Sequence, residues 1–177
     1  AVSMVNLDPR EIPFHRIQEV YRHLVKNMEF PDSSESFASH WKSWSSEKFG
    51  KDQDALDSII PEATPHVFRS VLTALGRKTL SLSSKERLLK KHRFFKPYEF
   101  SYTLQRRLSG ESVPLPKLRH SLKYRGVSFY REAPLSLKGS QPYLLMIRSV
   151  AQLVKEMGYQ GWVILFDEGE SIGQLPI

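Results

Sequence analysis

Two adjacent carboxylates, Asp167 and Glu168, directly follow an apolar run of strand length at residues 162–166. A continuous apolar run bounded by glycines is typical of a buried parallel strand, and glycines occur here at 158, 161, 169 and 173. Both acids are therefore expected at the carboxyl end of a strand, the edge where open α/β sheets bind ligands. A carboxylate at that position is suited to holding Mg²⁺ beside a nucleotide.

The two acids are suited to different tasks in nucleotide hydrolysis. Because side chains alternate along a strand, one carboxylate is expected to face the metal and the next the attacking water. The pattern predicts a Walker B strand in which Asp167 helps to hold Mg²⁺, usually through a bound water, and Glu168 polarises the water that attacks the γ-phosphate of ATP. Glu170 is a weaker third candidate. The alternative is an ordinary buried strand whose first exposed residues are acidic.

The elements around this strand have the order of a βαβ unit. A helix is predicted to precede it and to end at Gly158, because apolar residues recur at helical spacing: Tyr143, Met146, Ile147, Val150, Leu153, Val154 and Met157. At the start of the chain, residues 1–8 are predicted to form a strand, and a helix is predicted from Pro13 to about Met28. Strand and helix at one end, with helix and strand at the other, predict a parallel α/β core.

The roughly one hundred residues between these ends carry almost no strand signal and are predicted to be helical. A helix cap is predicted at Ser33 or Ser34, and further helices at 65–76, from about 83, at 97–110 and at 116–126. Residues 127–130 suggest one short strand. Trp41 and Trp44 are expected to pack in the core. The domain prediction is residues 1–30 and 138–177 for the α/β core and residues 31–137 for a mainly helical, basic insertion.

The sequence contains no phosphate-binding loop of the form G-x-x-x-x-G-K-[ST]. The nearest segment, GRKT at residues 76–79, lacks the earlier glycine and follows a predicted helix instead of a strand, so we reject it. Because the chain starts directly in a strand and stops soon after the two acids, we expect it to be an internal piece of a longer protein.

The chain resembles an internal part of the P-loop ATP-binding proteins associated with bacteriophage-exclusion (BREX) defence systems. The similarity rests on GYQGWVILFDEGE at residues 158–170, on VYRHLV at 20–25 after a strand ending NLD at 6–8, and on LSGE at 108–111. The resemblance implies an α/β fold, a partial P-loop NTPase core of the RecA/AAA type with a mainly α-helical insertion. It also implies that the phosphate loop precedes the first strand.

The same resemblance also implies an activity, its cofactors and its partners. ATP and Mg²⁺ would be the cofactors, with Asp167 at the metal and Glu168 as the catalytic residue. The intact protein would hydrolyse ATP in phage defence, whereas this piece alone would be inactive. Its partners would be ATP and either DNA or other defence-system proteins, with assembly into an oligomer left open.

The formal net charge of +7 is concentrated in one segment. Residues 85–125 contain 12 Lys and Arg against 3 acidic residues, and such a basic patch supplies the sequence-independent part of nucleic-acid affinity. The alternative function is therefore a non-enzymatic basic helical module that binds nucleic acid or an acidic protein. The same charges would also suit solvated helix faces. The candidate nucleic-acid contacts are Lys90, Lys91, Arg93, Lys96, Arg106 and Arg107.

Composition and motifs argue against other classes. No apolar run approaches the roughly 18 residues of a membrane helix, and the absence of cysteine excludes disulfides and thiolate zinc sites, so a cytoplasmic location is expected. The six histidines lack zinc-protease spacing. Residues 169–173 match the G-x-S-x-G elbow of α/β-hydrolases around Ser171, but no acid or histidine follows to complete a triad, so a serine hydrolase is set aside.

Overall fold

The computed structural model of the protein describes residues 1–6, 16–50, 52–76, 95, 97–124, 127 and 139–167. Within these residues lie seven helices and three strands, so the fold is mixed α/β as predicted. None of those helices is both long enough and apolar enough to cross a membrane. The elements in chain order are β1 (Val2–Asn6), α1 (Ile17–Lys26), β2 (Met28–Glu29), α2 (Phe37–Phe49), α3 (Gln53–Ile59), α4 (His66–Gly76), α5 (Pro97–Leu108), α6 (Leu115–Tyr124), α7 (Gln141–Glu156) and β3 (Val163–Asp167).

The three strands form one mixed sheet in the order β2-β1-β3. The central strand β1 runs antiparallel to β2 and parallel to β3. Its register with β3 places Val2 opposite Val163 and Asn6 opposite Asp167, so the two parallel strands begin and end together. The parallel pairing of the first and last strands agrees with the α/β core predicted from the two ends of the chain.

The strand β2 was not predicted. We expected the first helix to continue to Met28, but α1 ends at Lys26, where the backbone N–H of Asn27 donates to the carbonyl of His23 at 2.9 Å. Met28 then pairs with Ser3 of β1. Met28 is buried in either arrangement, so helical spacing alone could not reveal that the chain had already joined the sheet.

The helical middle of the chain agrees with most of the predictions. The helix α4 follows Pro65 and ends at Gly76, α5 begins at Pro97, and α6 begins one residue before Pro116. The cap of α2 is Ser36 instead of Ser33 or Ser34, since its hydroxyl accepts from the N–H of Ser39 at 3.4 Å. The short helix α3 was missed. The predicted helix near residue 83 and strand at 127–130 lie largely outside the described residues.

One hydrophobic core joins this helical middle to α1 and α7. Tyr21 of α1 packs against Phe68 of α4 and Tyr143 of α7, and the two ring centroids are 5.8 Å apart in each pair. The Tyr21 hydroxyl donates to the carbonyl of Leu108, the last residue of α5, at 2.6 Å. Trp41 is fully buried, as predicted, and its indole N–H donates to a carbonyl of α4 at 2.9 Å. The division into an α/β core and an insertion stays a prediction.

Candidate functional site

The predicted metal ligand Asp167 is the last residue of β3 and is exposed. It lies beside Asn6, the last residue of the parallel strand β1. The carboxyl ends of two neighbouring parallel strands therefore meet at one edge, which is the geometry expected of a ligand-binding edge in an α/β sheet. The predicted catalytic residue, Glu168, lies outside the described residues.

The helix α7 ends at Glu156, close to Gly158, where the sequence predicted the end of the helix. Gly158 has a φ of +96°, a conformation that residues other than glycine rarely adopt, and its N–H donates to the carbonyl of Lys155 at 2.9 Å. The chain turns there and enters β3 five residues later. The parallel register with β1 places Asp167 at the same edge of the sheet as the end of β1.

A single carboxylate fits the ligand needs of Mg²⁺ only when other ligands come from elsewhere. Mg²⁺ keeps several waters and is commonly held by one or two carboxylates together with substrate phosphates. Asp167 can fill the carboxylate role. Among the described residues, no group of three His, Asp or Glu side chains could hold a metal by itself.

The expectation that this strand is buried is wrong. In the described part of the sheet β3 is an edge strand, and Val163, Leu165 and Phe166 are 54%, 49% and 45% exposed. Strands of parallel sheets carry apolar residues on both faces because helices normally cover both. In this structure α1 covers one face, where Val20 and Leu24 pack around Val5.

The uncovered face of the sheet carries an apolar patch of four side chains. Residues at alternate positions of a strand share a face, and in-register pairing sets Val2 beside Val163 and Met4 beside Leu165. All four are between 41% and 55% exposed. On the covered face Ser3 and Val5 of β1 are both 1% exposed, whereas Phe166, which pairs with Val5 near the end of β3, is 45% exposed. We refer to the four exposed residues as the open sheet face.

A cluster of polar side chains connects the segment before α2 with the turn after α7. The hydroxyl of Tyr159 donates a very short hydrogen bond to Asp32 and lies 2.9 Å from Nε2 of His40. Since the single phenolic proton goes to Asp32, Nε2 of His40 is the donor in the second contact. Nδ1 of His40 faces the carboxylate of Glu35 at 3.8 Å. No sequence signal predicts this cluster, because Tyr159 lies more than one hundred residues from the other members in the chain.

Burial and the hydrogen bond to Asp32 raise the pKa of Tyr159 to about 12. The same hydrogen bond is the main cause that lowers the pKa of Asp32. The phenol therefore stays protonated at neutral pH while the carboxylate stays ionised. This arrangement suits a structural hydrogen bond and does not prepare Tyr159 to act as a base.

The two described members of the predicted basic set differ in exposure. Arg107 is only 5% exposed, and its guanidinium donates to the carbonyl of Glu111 at 3.1 Å; burial lowers its pKa. This burial does not fit a phosphate contact. Arg106 lies nearer the surface, 2.6 Å from a carboxylate oxygen of Glu111. The other four candidates, Lys90, Lys91, Arg93 and Lys96, lie outside the described residues.

Two aromatic residues near Arg106 are strongly exposed. Tyr98 and Tyr102 of α5 are 77% and 55% exposed, and the guanidinium carbon of Arg106 lies 5.7 Å from the centre of the Tyr102 ring. Helical spacing alone does not decide the exposure of these rings, because tyrosine occurs both in the core and at the surface.

No family model, curated protein sequence or solved structure matches this chain. Function is therefore inferred from its residues and their geometry.

Proposed function

We propose that the carboxyl end of β3 is the Walker B edge of an ATP-hydrolysing site. The observation that carries this proposal is the parallel register of β1 and β3, which ends both strands together with Asp167 exposed at that edge. In this role Asp167 holds Mg²⁺ through a bound water, and Glu168, the next residue in the sequence, polarises the attacking water.

Two further observations support the proposal. The open sheet face and the exposed edge strand are features that an α/β core covers with additional strands and helices.

The sequence has no phosphate loop, so the phosphates would be held by a segment or chain outside these 177 residues. The resemblance to ATP-binding proteins of phage-exclusion systems points the same way. We propose a cytoplasmic defence ATPase whose partners are ATP and either DNA or other defence-system proteins.

Bound Mg²⁺·ATP would supply the metal that neutralises charge developing on the γ-phosphate. The chain's own contribution is positional. The register with β1 holds Asp167 at the sheet edge, and the chain turns at Gly158 between α7 and β3. In a form of the protein that contains a phosphate loop, Glu168→Gln should abolish hydrolysis while ATP binding persists.

Paramagnetic broadening in NMR tests the metal site on the 177-residue chain itself. Mn²⁺ shares the preference of Mg²⁺ for oxygen ligands and broadens the signals of nearby amides, so weak binding is detectable. Mn²⁺ with ATP should selectively broaden the amide signals of Asn6, Phe166 and Asp167. Asp167→Asn should remove this broadening, whereas Asp54→Asn, an exposed acid on α3, should leave it in place.

Broadening that survives Asp167→Asn would overturn the assignment of the metal ligand. Broadening that concentrates on another part of the chain would overturn the proposed site as a whole. Mg²⁺·ATP titrated by calorimetry provides a second measurement, in which any heat of binding should disappear with Asp167→Ala.

A further inference from the structure

Tyr98, Tyr102 and Arg106 lie along the outer side of α5 at intervals of four residues. Residues spaced this way are neighbours on one helix surface. The opposite side of the helix is embedded in the core, since Phe100, Leu104 and Leu108 are fully buried. The helix therefore presents two tyrosine rings and a guanidinium in one row to the solvent. We call these three residues the α5 stripe.

The stripe differs in composition from an apolar protein-docking surface. Along α5 and α6 the two tyrosines are the only large apolar or aromatic side chains among the described residues that are strongly exposed, and the buried leucines lie beneath them. A groove for an amphipathic helix needs aliphatic anchors at the surface, and no aliphatic side chain is strongly exposed among the described residues of α5 and α6. Flat aromatic rings next to cations are instead typical of surfaces on which nucleic-acid bases stack.

The charge of the surroundings complements a polyanion. Residues 97–124 contain five Lys and Arg against two acidic residues, Glu99 and Glu111. One of the five, Arg107, is buried, which leaves four cations nearer the surface. Both acids lie close to cations of the same region: Glu111 pairs with Arg106, and Glu99 lies 4.0 Å from Lys117 of α6. The exposed Arg119 and Lys123 of α6 add further positive charge. The stripe therefore lies in a region of net positive charge.

We propose that the α5 stripe binds single-stranded nucleic acid, with unpaired bases stacking on Tyr98 and Tyr102 and phosphates contacting Arg106 and neighbouring cations. Duplex bases are already stacked on one another and cannot reach the rings without unpairing. The surface should consequently prefer single strands to duplexes. This inference is independent of the ATP site, since no residue of the stripe belongs to the sheet edge.

Fluorescence anisotropy with a labelled oligothymidylate of about 16 nucleotides tests the proposal, at about 50 mM salt where phosphate contacts are strong. The double variant Tyr98→Ala/Tyr102→Ala should raise the Kd by at least about tenfold, since both stacking rings are lost. The matched variant Tyr98→Phe/Tyr102→Phe keeps both rings and should bind within about twofold of the natural chain. Circular dichroism would verify that both variants fold.

A surface control and two competitors complete the experiment. Leu144→Ala removes a 52% exposed side chain from α7 and should leave the Kd unchanged. Duplex DNA of the same sequence, and polyglutamate at the same charge concentration, should both compete poorly. An absence of oligonucleotide binding, or a Kd that the double alanine variant leaves unchanged, would overturn the proposal. Competition by polyglutamate as strong as by single strands would identify an acidic protein as the partner and would also overturn it.

Discussion

The indole N–H of Trp162 donates a 2.9 Å hydrogen bond to the hydroxyl of Ser3, which in turn donates to the carbonyl of Leu24 at 2.8 Å. This relay joins the residue before β3 to the central strand β1 and to α1. Ser3 is 1% exposed, so both hydrogen bonds form in a setting where an unpaired polar group is costly. The relay therefore helps to fix the position of the strand that ends at Asp167.

Replacing Ser3 by alanine should destabilise the protein by about 1–3 kcal/mol, because the N–H of Trp162 and the carbonyl of Leu24 both lose their partner. Urea unfolding followed by tryptophan fluorescence measures the change. Ser58→Ala is the matched control, since Ser58 is exposed and bonds only to the local carbonyl of Ala55; its effect should stay within about 0.5 kcal/mol. Equal effects of the two substitutions would show that the relay contributes nothing to stability.

Gly110 follows α5 with a φ of +80° in a buried position. A β-carbon there would lie 3.1 Å from Tyr21 and 3.2 Å from Tyr143. Gly110→Ala should cost more than the roughly 1–2 kcal/mol of a left-handed residue alone, because the two rings must also shift. Thermal unfolding of Gly110→Ala and Gly158→Ala separates the two causes, since a β-carbon at Gly158 meets nothing within 4 Å. Similar losses in both variants would contradict the packing part of the explanation.

Tyr159→Phe should lower the unfolding free energy at neutral pH by about 1 kcal/mol through loss of the contacts to Asp32 and His40. It should also change the pH dependence. The pKa of Asp32 is lowered in the folded state from 3.8, so this stabilisation is complete at higher pH and is lost as the pH falls through the folded-state pKa. The variant should therefore lose less stability on acidification than the natural chain.

The dependence of the unfolding free energy on pH at high pH tests the same residue in the opposite direction. The pKa of Tyr159 rises from 10.0 to about 12 on folding, so its contribution is complete below pH 10 and is lost as the pH rises towards about 12. The difference between the natural chain and Tyr159→Phe should shrink in that window. Tyr98→Phe, which removes the hydroxyl of an exposed tyrosine, is the matched control. Parallel pH curves for the natural chain and Tyr159→Phe would refute the prediction.

Leu165 and Leu24 allow one substitution to be compared on the two sides of the sheet. Leu24 is 1% exposed and Leu165 is 49% exposed. Leu24→Ala should cost about 2–5 kcal/mol because it leaves a cavity, whereas Leu165→Ala should cost less than about 1 kcal/mol. Chemical denaturation of the two variants makes the comparison. A large loss at Leu165 would mean that the open sheet face is covered in solution.

Most of the helices were predictable because their signals are local. Apolar residues at helical spacing, Pro97 at the start of α5 and Gly158 at the end of α7 act through neighbouring residues in the chain. The strand β2 and the short helix α3 were missed, since each is too short for its periodicity to be distinguished from a turn or an extension of the preceding helix. No local sequence pattern predicts the hydrogen bonds that join Tyr159 to Asp32 and His40.

The sequence by itself determined the α/β class, the ends of most described helices, the burial of Trp41 and the acidic end of an apolar strand, because spacing, helix caps and glycine stops act within a few residues. Only the tertiary structure decided the exposure of that strand, the burial of Arg107 and the solvent-facing row of Tyr98 and Tyr102. The type of an apolar or basic residue does not show which side of its helix or strand will be covered by another helix or strand. That coverage depends on residues distant in the chain.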